Sequence, residues 1–487
     1  MRKYYWMPFL GAMFIPQAIA QQYQDNSHNQ ESIQLLQQYQ QKVQQQQQEY
    51  QQRKNETSQN EITLSGKKFE VENNVNAVGQ TLYISLNQEL WDYAEKFLAQ
   101  YLQFADHKPP LVLFAKGLLA RKQGSLEQAE LYYQELLKLD PQFLRGQLDL
   151  ARILFENHKN NESTSLFEKI TQLELPQDLY QTIGGYQQAL SKRESWQGGL
   201  SVSYQYNQNI NQSSQKEESS LSLNNQYIKK KSSPKPINTQ GWHYDANIRK
   251  QTSFVANHGL AFSLNSYGQF YPHYRNYNEN TVKTSLGYHF QNAKTELTIA
   301  PMFEYNVLQN HRNYHAWGGR INFSQNLSPR HHLNLQFEQK KFYYNSEQHS
   351  LENAYLSTLS GTWYYLLSPK TTLFSGLDFA YRHTVQKEKN YKMAGLRLGF
   401  NHQFDFGLNT TFLALLKHYR YEKDYGVIFK ARRENLQTYL AIFKMPKWNF
   451  KGIVPSLLIK HSRNKANNDT IFSYKQSEVQ VNFEWQF

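Results

Sequence analysis

The spacing of apolar residues changes once along the chain, and the change divides it into two bodies. From about Asn76 to Arg193 apolar residues recur every three or four positions, the period of a helix with one buried stripe. Leu82, Leu86, Leu90, Tyr93, Phe97 and Tyr101 mark such a stripe over Gln80 to Phe104, predicting a packed helix or helix pair that Pro109-Pro110 ends. From Trp196 onward the rhythm becomes strict alternation. Leu373, Leu377, Phe379 and Tyr381 share a face opposite Gly376, Asp378, Ala380 and Arg382. Leu333, Leu335 and Phe337 oppose Asn334, Gln336, Glu338 and Lys340; Leu396, Leu398 and Phe400 oppose Arg397, Gly399 and Asn401. Period two places one face in an apolar medium and the other in water. About fourteen segments reach the ~9–11 residues that a tilted membrane strand needs. Thr411 to Leu416 is ambiguous, apolar from its second residue on, and does not declare a face.

Breaks between these segments alternate in kind. Tight ones fall at Asn292-Ala293-Lys294, Leu327 to Arg330, Leu367 to Lys370 and Lys444 to Lys447. Looser ones fall at Gln309 to Asn313, Asn345 to Ser350, Gln386 to Asn390, Lys423 to Glu434 and Asn464 to Asp469. Short turns on one rim and longer loops on the other are expected of an antiparallel transmembrane β-barrel. An even strand count returns both ends of the barrel to the side of the helical body. The last stretch, Val479 to Phe487, alternates to the final residue, with Phe483, Trp485 and Phe487 on one face. It resembles the C-terminal signal by which the barrel-assembly machinery reads outer-membrane proteins, with Asn482 where Gly is common. These three aromatics are therefore the expected assembly signal, and the assembly machinery an expected partner.

Within the helical part Gly117, Ala129, Tyr133 and Pro141 fall at the small-residue, A-x3-F and closing-proline positions of the tetratricopeptide pattern, with Gly124-Ser125 as the turn between helices. A weaker copy follows in Leu148, Ala151 and Leu154, then Phe167, Ile170 and Leu173, then Pro176. Stacked helix pairs of this kind build a concave surface suited to peptides or proteins.

The first residues change the picture of location. Arg2 and Lys3, the apolar run Trp6 to Ile15, and Ala18-Ile19-Ala20 have the layout of a secretory signal, with cleavage set by Ala18 and Ala20. The chain has no Cys, so the exported protein carries neither disulfides nor a lipoprotein anchor. After the signal no apolar run is long enough for a membrane helix, which leaves strands to do any spanning. The boundaries read from sequence are a signal peptide at 1–20, a flexible glutamine-rich arm at 21–60, a periplasmic helical domain at 61–194 and a barrel at 195–487.

Composition agrees with embedding. Mean hydropathy of −0.77 fits strands that show lipid only every second residue. The 35 Tyr among 15% aromatic residues fit interfacial girdles. A net charge of +13 is dispersed along the chain, so lipopolysaccharide and other outer-membrane lipid are the expected acidic neighbours and nucleic acid is not. The run Lys229-Lys230-Lys231 and Pro234-Lys235-Pro236 in the connection Asn211 to Thr239 reads as a solvated loop.

The runs Tyr83 to Trp91, Leu111 to Gly117 and Leu148 to Asn157 resemble the N-terminal domain of the Slam family, the surface lipoprotein assembly modulators. Signal, small tetratricopeptide domain and barrel stand in that family's order; the glutamine-rich arm is an addition. The resemblance implies delivery of particular substrate proteins, surface lipoproteins or soluble haemophore-like proteins, from periplasm to the surface or medium of a Gram-negative cell. It further implies that the helical domain engages the substrate, encoded nearby, and the barrel provides the passage. The alternative from another class is a polysaccharide export porin with a tetratricopeptide adaptor.

Candidate chemistry adds little. There is no Gly-rich phosphate loop, no G-x-S-x-G, no H-E-x-x-H and no convincing carboxylate pair; His331-His332 lacks a partner at metal-ligand spacing. No catalytic residue, cofactor or metal site is expected, and the protein reads as a non-enzyme.

Overall fold

A computed structural model describes residues 71–214, 220–223, 226–229, 234–345, 352–424, 430–467 and 469–487. The signal, with Ala18 and Ala20, and the glutamine-rich arm lie outside the described residues.

Seven helices come first: α1 (Val75–Asn87), α2 (Trp91–Tyr101), α3 (Pro109–Lys122), α4 (Leu126–Leu139), α5 (Leu144–Glu156), α6 (Asn160–Thr171) and α7 (Gln177–Glu194). Asn74 starts α1 by accepting the Ala77 N–H at 2.8 Å on its Oδ1, satisfying one of the first-turn donors. Pro109 and Pro110 open α3; they do not terminate the helix before them, since α2 has already stopped at Tyr101. Proline lacks an N–H where the first turn needs none, so the pair reads as a start. Gly124, at φ +73°, turns the chain between α3 and α4.

The remainder is a closed barrel of fourteen antiparallel strands. They are β1 (Gln197–Gln208), β4 (Thr239–Val255), β5 (His258–Phe270), β6 (Glu279–Gln291), β7 (Thr295–Leu308), β8 (His311–Ser328), β9 (His331–Tyr344), β10 (Ala354–Ser368), β11 (Thr371–Thr384), β12 (Tyr391–Gln403), β13 (Asn409–Tyr421), β14 (Arg433–Lys444), β15 (Ile453–Ala466) and β16 (Tyr474–Gln486). Each pairs with its sequence neighbour, and β16 closes the ring on β1. Two short strands, β2 (Ser220–Leu223) and β3 (Gln226–Lys229), pair apart from the barrel within the β1–β4 connection. A one-turn helix, α8 (Asp469–Phe472), sits between β15 and β16.

The faces are those the alternation predicts. Leu373, Leu377, Phe379 and Tyr381 are exposed on the outer wall, whereas Asp378, Ala380 and Arg382 are buried inside. Thr411 to Leu416 is explained by the same geometry. Leu413 and Leu415 are buried inside, Leu416 is exposed outside, and the inner wall happens to be apolar there.

Two turns depart from expectation. Gln309 and Asn310, read as the start of a loose loop, are the whole connection between β7 and β8. Both have positive φ, 52° and 62°, which suits the primed two-residue hairpin turns whose twist matches the strands. Conversely, the break placed at Lys444 to Lys447 is an eight-residue connection, Met445 to Gly452, carrying a short 3-10 turn at Pro446–Trp448.

Candidate functional site: a helical adaptor gripping one arc of the barrel

The repeat works by close approach. A Cβ on Gly117 would lie 2.5 Å from Cε2 of Tyr133, so only glycine lets α3 and α4 pack as they do. Tyr133 and Ala129 are fully buried, and Phe114 meets the Tyr133 ring edge-on at 6.2 Å. Pro141 lies exposed in the turn before α5, its carbonyl accepting Gln147 Nε2 at 2.7 Å. In the second copy Ala151 and Phe167 take the places of Gly117 and Tyr133. Ser163 replaces the alanine and donates its hydroxyl to the Ala151 carbonyl at 2.9 Å.

A further half-copy escaped the sequence reading. Gly185 on α7 follows Ala151 at the interval by which Ala151 follows Gly117. The next residue, Tyr186, packs at 5.0 Å against Phe155 and 5.2 Å against Phe167. The repeated small residue was the signal that could have found it. No second helix follows, because Ser195 and Trp196 lead directly into β1.

Ion pairs lock these helices in register. Arg121 of α3 reaches Glu156 of α5 at 2.6 Å, and Arg152 joins the same carboxylate at 3.0 Å. Burial opposes charge on Glu156, but the two guanidinium groups outweigh it and hold the carboxyl below its usual range. Asp149 moves the other way. Burial raises it despite Arg145 at 3.0 Å and the Tyr133 hydroxyl at 3.2 Å.

The helices dock on one arc of the barrel rim. Asn161 Nδ2 donates to the carbonyls of Ser253 (3.0 Å) and Phe254 (3.1 Å) at the end of β4. The Ala256 N–H donates to Glu162 at 2.8 Å, and Asn257 Nδ2 bridges the carbonyls of Asn157 and Gln291. From the β6–β7 turn Ala293 packs against the helical core. The gripped turns therefore belong to β4 through β7, on the first-strand side of the ring. Across the ring from them the inner wall carries an apolar cluster of Tyr364, Phe374, Leu413, Leu415, Leu440, Ile442 and Leu458.

At the chain's end Phe483, Trp485 and Phe487 are exposed on the outer wall. The Phe487 ring lies over Gly198, where an added Cβ would come within 2.5 Å of Cζ. Main-chain bonds of 2.9 and 3.0 Å join the two residues in both directions. His331 opens β9 and stacks on Tyr365 at 4.8 Å, while His332 contacts Asn326 at 2.7 Å. No group of three His, Asp or Glu that could hold a metal occurs among the described residues.

A closed fourteen-strand barrel with an apolar outer wall, carrying a docked tetratricopeptide-like body, defines an outer-membrane barrel protein with an attached adaptor. Residues 196–487 match the family model for the surface lipoprotein assembly modifier, and residues 64–167 match its N-terminal TPR repeats. The chain is 30% identical over 443 residues to the hemophilin secretion modulator of Acinetobacter baumannii, covering 88% of this chain and 89% of that one. It is 25% identical over 395 residues to surface lipoprotein assembly modifier 1 of Neisseria meningitidis, covering 80% and 78%. A surface lipoprotein assembly modifier of Haemophilus influenzae is 25% identical over 435 residues, covering 85% of each chain. This chain belongs to the surface lipoprotein assembly modifier family.

Proposed function

We propose that this protein moves a specific substrate protein, a surface lipoprotein or a soluble haemophore-like protein, from the periplasm to the cell surface or medium. The helical body engages the substrate, and the barrel supplies the passage. The observation that carries this reading is the docking of a repeat body onto the β4–β5 and β6–β7 turns of a closed barrel. A chain held by the helices is thereby presented at the rim. The apolar inner wall around Leu413 and Leu440 suits an incompletely folded chain better than a hydrated sugar polymer, which favours protein over polysaccharide as cargo. The relatives are named for secretion and assembly of proteins, one of them for hemophilin, and none for catalysis. No covalent step is needed; folding or lipid anchoring of the substrate outside gives direction.

The reading extends to assembly. Phe483, Trp485 and Phe487 act as the signal for the barrel-assembly machinery, and the outer aromatic wall meets lipid and lipopolysaccharide, with the helical body in the periplasm. The test is surface display: co-express this protein with the secreted protein encoded beside it and probe intact cells with antibody to the partner. Partner signal outside the cell that depends on this protein, and is lost when residues 75–194 are deleted, supports the reading. An unchanged partner location refutes it.

A further inference from the structure

The junction of β1 and β16 differs from every other junction in the barrel. All other neighbouring strands are joined by a connection of the chain, whereas β1 and β16 are held by non-covalent bonds alone, chiefly a ladder that runs from Gly199↔Gln486 to Gln208↔Ser477. Opening it strains no turn. The inner faces on the two sides of β16 also differ in chemistry. Toward β14 and β15 it is tied by charge: Glu484 to Lys444, and Glu478 to Lys460 at 3.4 Å. Toward β1 the side-chain bonds use neutral donors: Gln480 to Gln205 at 3.2 Å, Gln476 to Asn207 at 3.0 Å, and Asn207 to Glu478 at 3.4 Å. Bonds with one or no charged partner are weaker than full ion pairs.

Midway along the seam a bond is missing. Ser203 faces Asn482 in the register, yet Asn482 turns its amide to Ser456 of β15 at 3.3 Å. The Ser203 hydroxyl, on a residue only 1% exposed, is left without a partner among the described residues. A buried hydroxyl without a partner is unfavourable, so the inner face of β1 holds an unused side-chain bonding group at the seam.

The helical body is placed to act on this junction from one side. It continues through α7 into β1, Glu194 accepts the Ser253 N–H at 3.4 Å, and Gln197 of β1 accepts Arg249 at 3.0 Å. Its grip on β4 to β7 lies on the β1 side of the seam.

We propose that β1 is a strand-addition edge: the β1–β16 seam opens and the inserted partner is an amphipathic β-strand of the exported protein. The chemistry of that strand is given by what the edge now binds. β16 shows β1 polar residues inside, neutral but for Glu478 (Gln476, Glu478, Gln480, Asn482), and apolar or aromatic ones outside (Val479, Val481, Phe483, Trp485). A cargo strand alternating in the same way, with its main chain supplying the ladder, satisfies both faces of β1. This rests on the export reading above but names the contact.

The chain has no Cys, so thiols can be placed without background. Purified Gln205→Cys protein in proteoliposomes is offered a synthetic peptide of residues 474–487 with Cys in place of Gln480, under mild oxidation. The matched control is Ser462→Cys, whose register partner is Thr438, with a peptide of residues 433–444 carrying Cys in place of Thr438. Capture at Gln205→Cys should exceed the control by about tenfold; equal capture overturns the proposal. Export is then read with the seam locked. Gln205→Cys/Gln480→Cys should block export when oxidised and recover with reductant, while Thr438→Cys/Ser462→Cys exports in both states. Heat-modifiable mobility confirms that both barrels have assembled. Export through a locked seam overturns the edge and leaves translocation by the lumen. Capture at Gln205→Cys without export of any partner faults the export reading and supports the edge.

Discussion

Three glycines of the helical body should answer the same substitution with opposite signs. At Gly117 an added methyl meets Tyr133 at 2.5 Å from Cε2 and 2.8 Å from Cδ2. Tyr133 has nowhere to retreat: it is fully buried, edge-packed on Phe114 and hydrogen-bonded to Asp149. Overpacking of this kind costs about 1–3 kcal/mol. Alanine's helix preference over glycine returns roughly 0.8–1 kcal/mol. Gly117→Ala should therefore lose up to about 2 kcal/mol net. At Gly184 and Gly185 on α7 an added Cβ meets nothing within 4 Å, so only the preference term remains. There Gly→Ala should gain up to about 1 kcal/mol.

The assay is thermal unfolding of the full-length protein in detergent, followed by helical circular dichroism at temperatures where the barrel persists. For a unit of this size 1 kcal/mol moves the midpoint by roughly 3–6 °C. Gly117→Ala should melt several degrees below wild type and Gly185→Ala a few degrees above it. A double change, Gly117→Ala with Tyr133→Leu, should show coupling of about 0.5 kcal/mol or more, because the two side chains compete for one space. If Gly117→Ala is as stable as Gly185→Ala, close approach is not why glycine stands there.

Electrostatics of the same body predict a pH dependence. The Glu156 carboxyl is held low, so its contribution is present above the ordinary glutamate range and is lost as pH falls through its lowered folded value. Glu156→Gln should cost about 1–2 kcal/mol at pH 7 and flatten the acid limb of the stability curve; an unchanged curve refutes this. Asp149 is raised, so its charge opposes folding at neutral pH; Asp149→Asn, which keeps an acceptor for Tyr133, should lower stability less than Glu156→Gln. Gly198→Val would drive a side chain into the Phe487 ring and the Asn247 carbonyl. Heat-modifiable barrel in the outer membrane should fall several-fold, as it should on removing Phe487, and normal levels in both refute a role for the Gly198–Phe487 contact in closing the barrel. Asn257→Ala removes the bridge between Asn157 and Gln291. It should speed proteolytic release of the helices at residues 194–197, and unchanged cleavage would show that the docking does not depend on that bridge.

How much of this was legible in sequence depends on whether one face or two are apolar. Where the inner wall is polar, as along Asp378 and Arg382 of β11, alternation reports both the strand and its orientation. Where the inner wall is apolar, as at Leu413 and Leu415 of β13, the period vanishes although the strand is as regular as its neighbours. The tight β7–β8 turn was hidden for a different reason. Gln309 and Asn310 adopt positive φ without glycine, and the polar residues His311 to Asn313 belong to β8 although they read as loop. The repeat was legible at Gly117 because Tyr133 follows at the right interval. It was illegible at Gly185 because the chain enters the barrel before a second helix can supply that partner.

That last absence bears on how the two bodies are joined. In a solenoid each repeat buries the face of the one before it, and the terminal helix ends in a polar cap. Here α7 runs straight into β1, so the helical stack is continued by the barrel itself. The α5–α6 turn and the start of α6 receive the tips of two hairpins through Asn157, Asn161 and Glu162. On the proposed reading, a displacement of the helices by cargo would reach β1 and the turns of β4 to β7 together. β16, tied by ion pairs to β14 and β15, is not linked to the helices by any of these bonds. Of all the junctions in the ring, the one between β1 and β16 is where such a displacement meets no covalent turn to resist it.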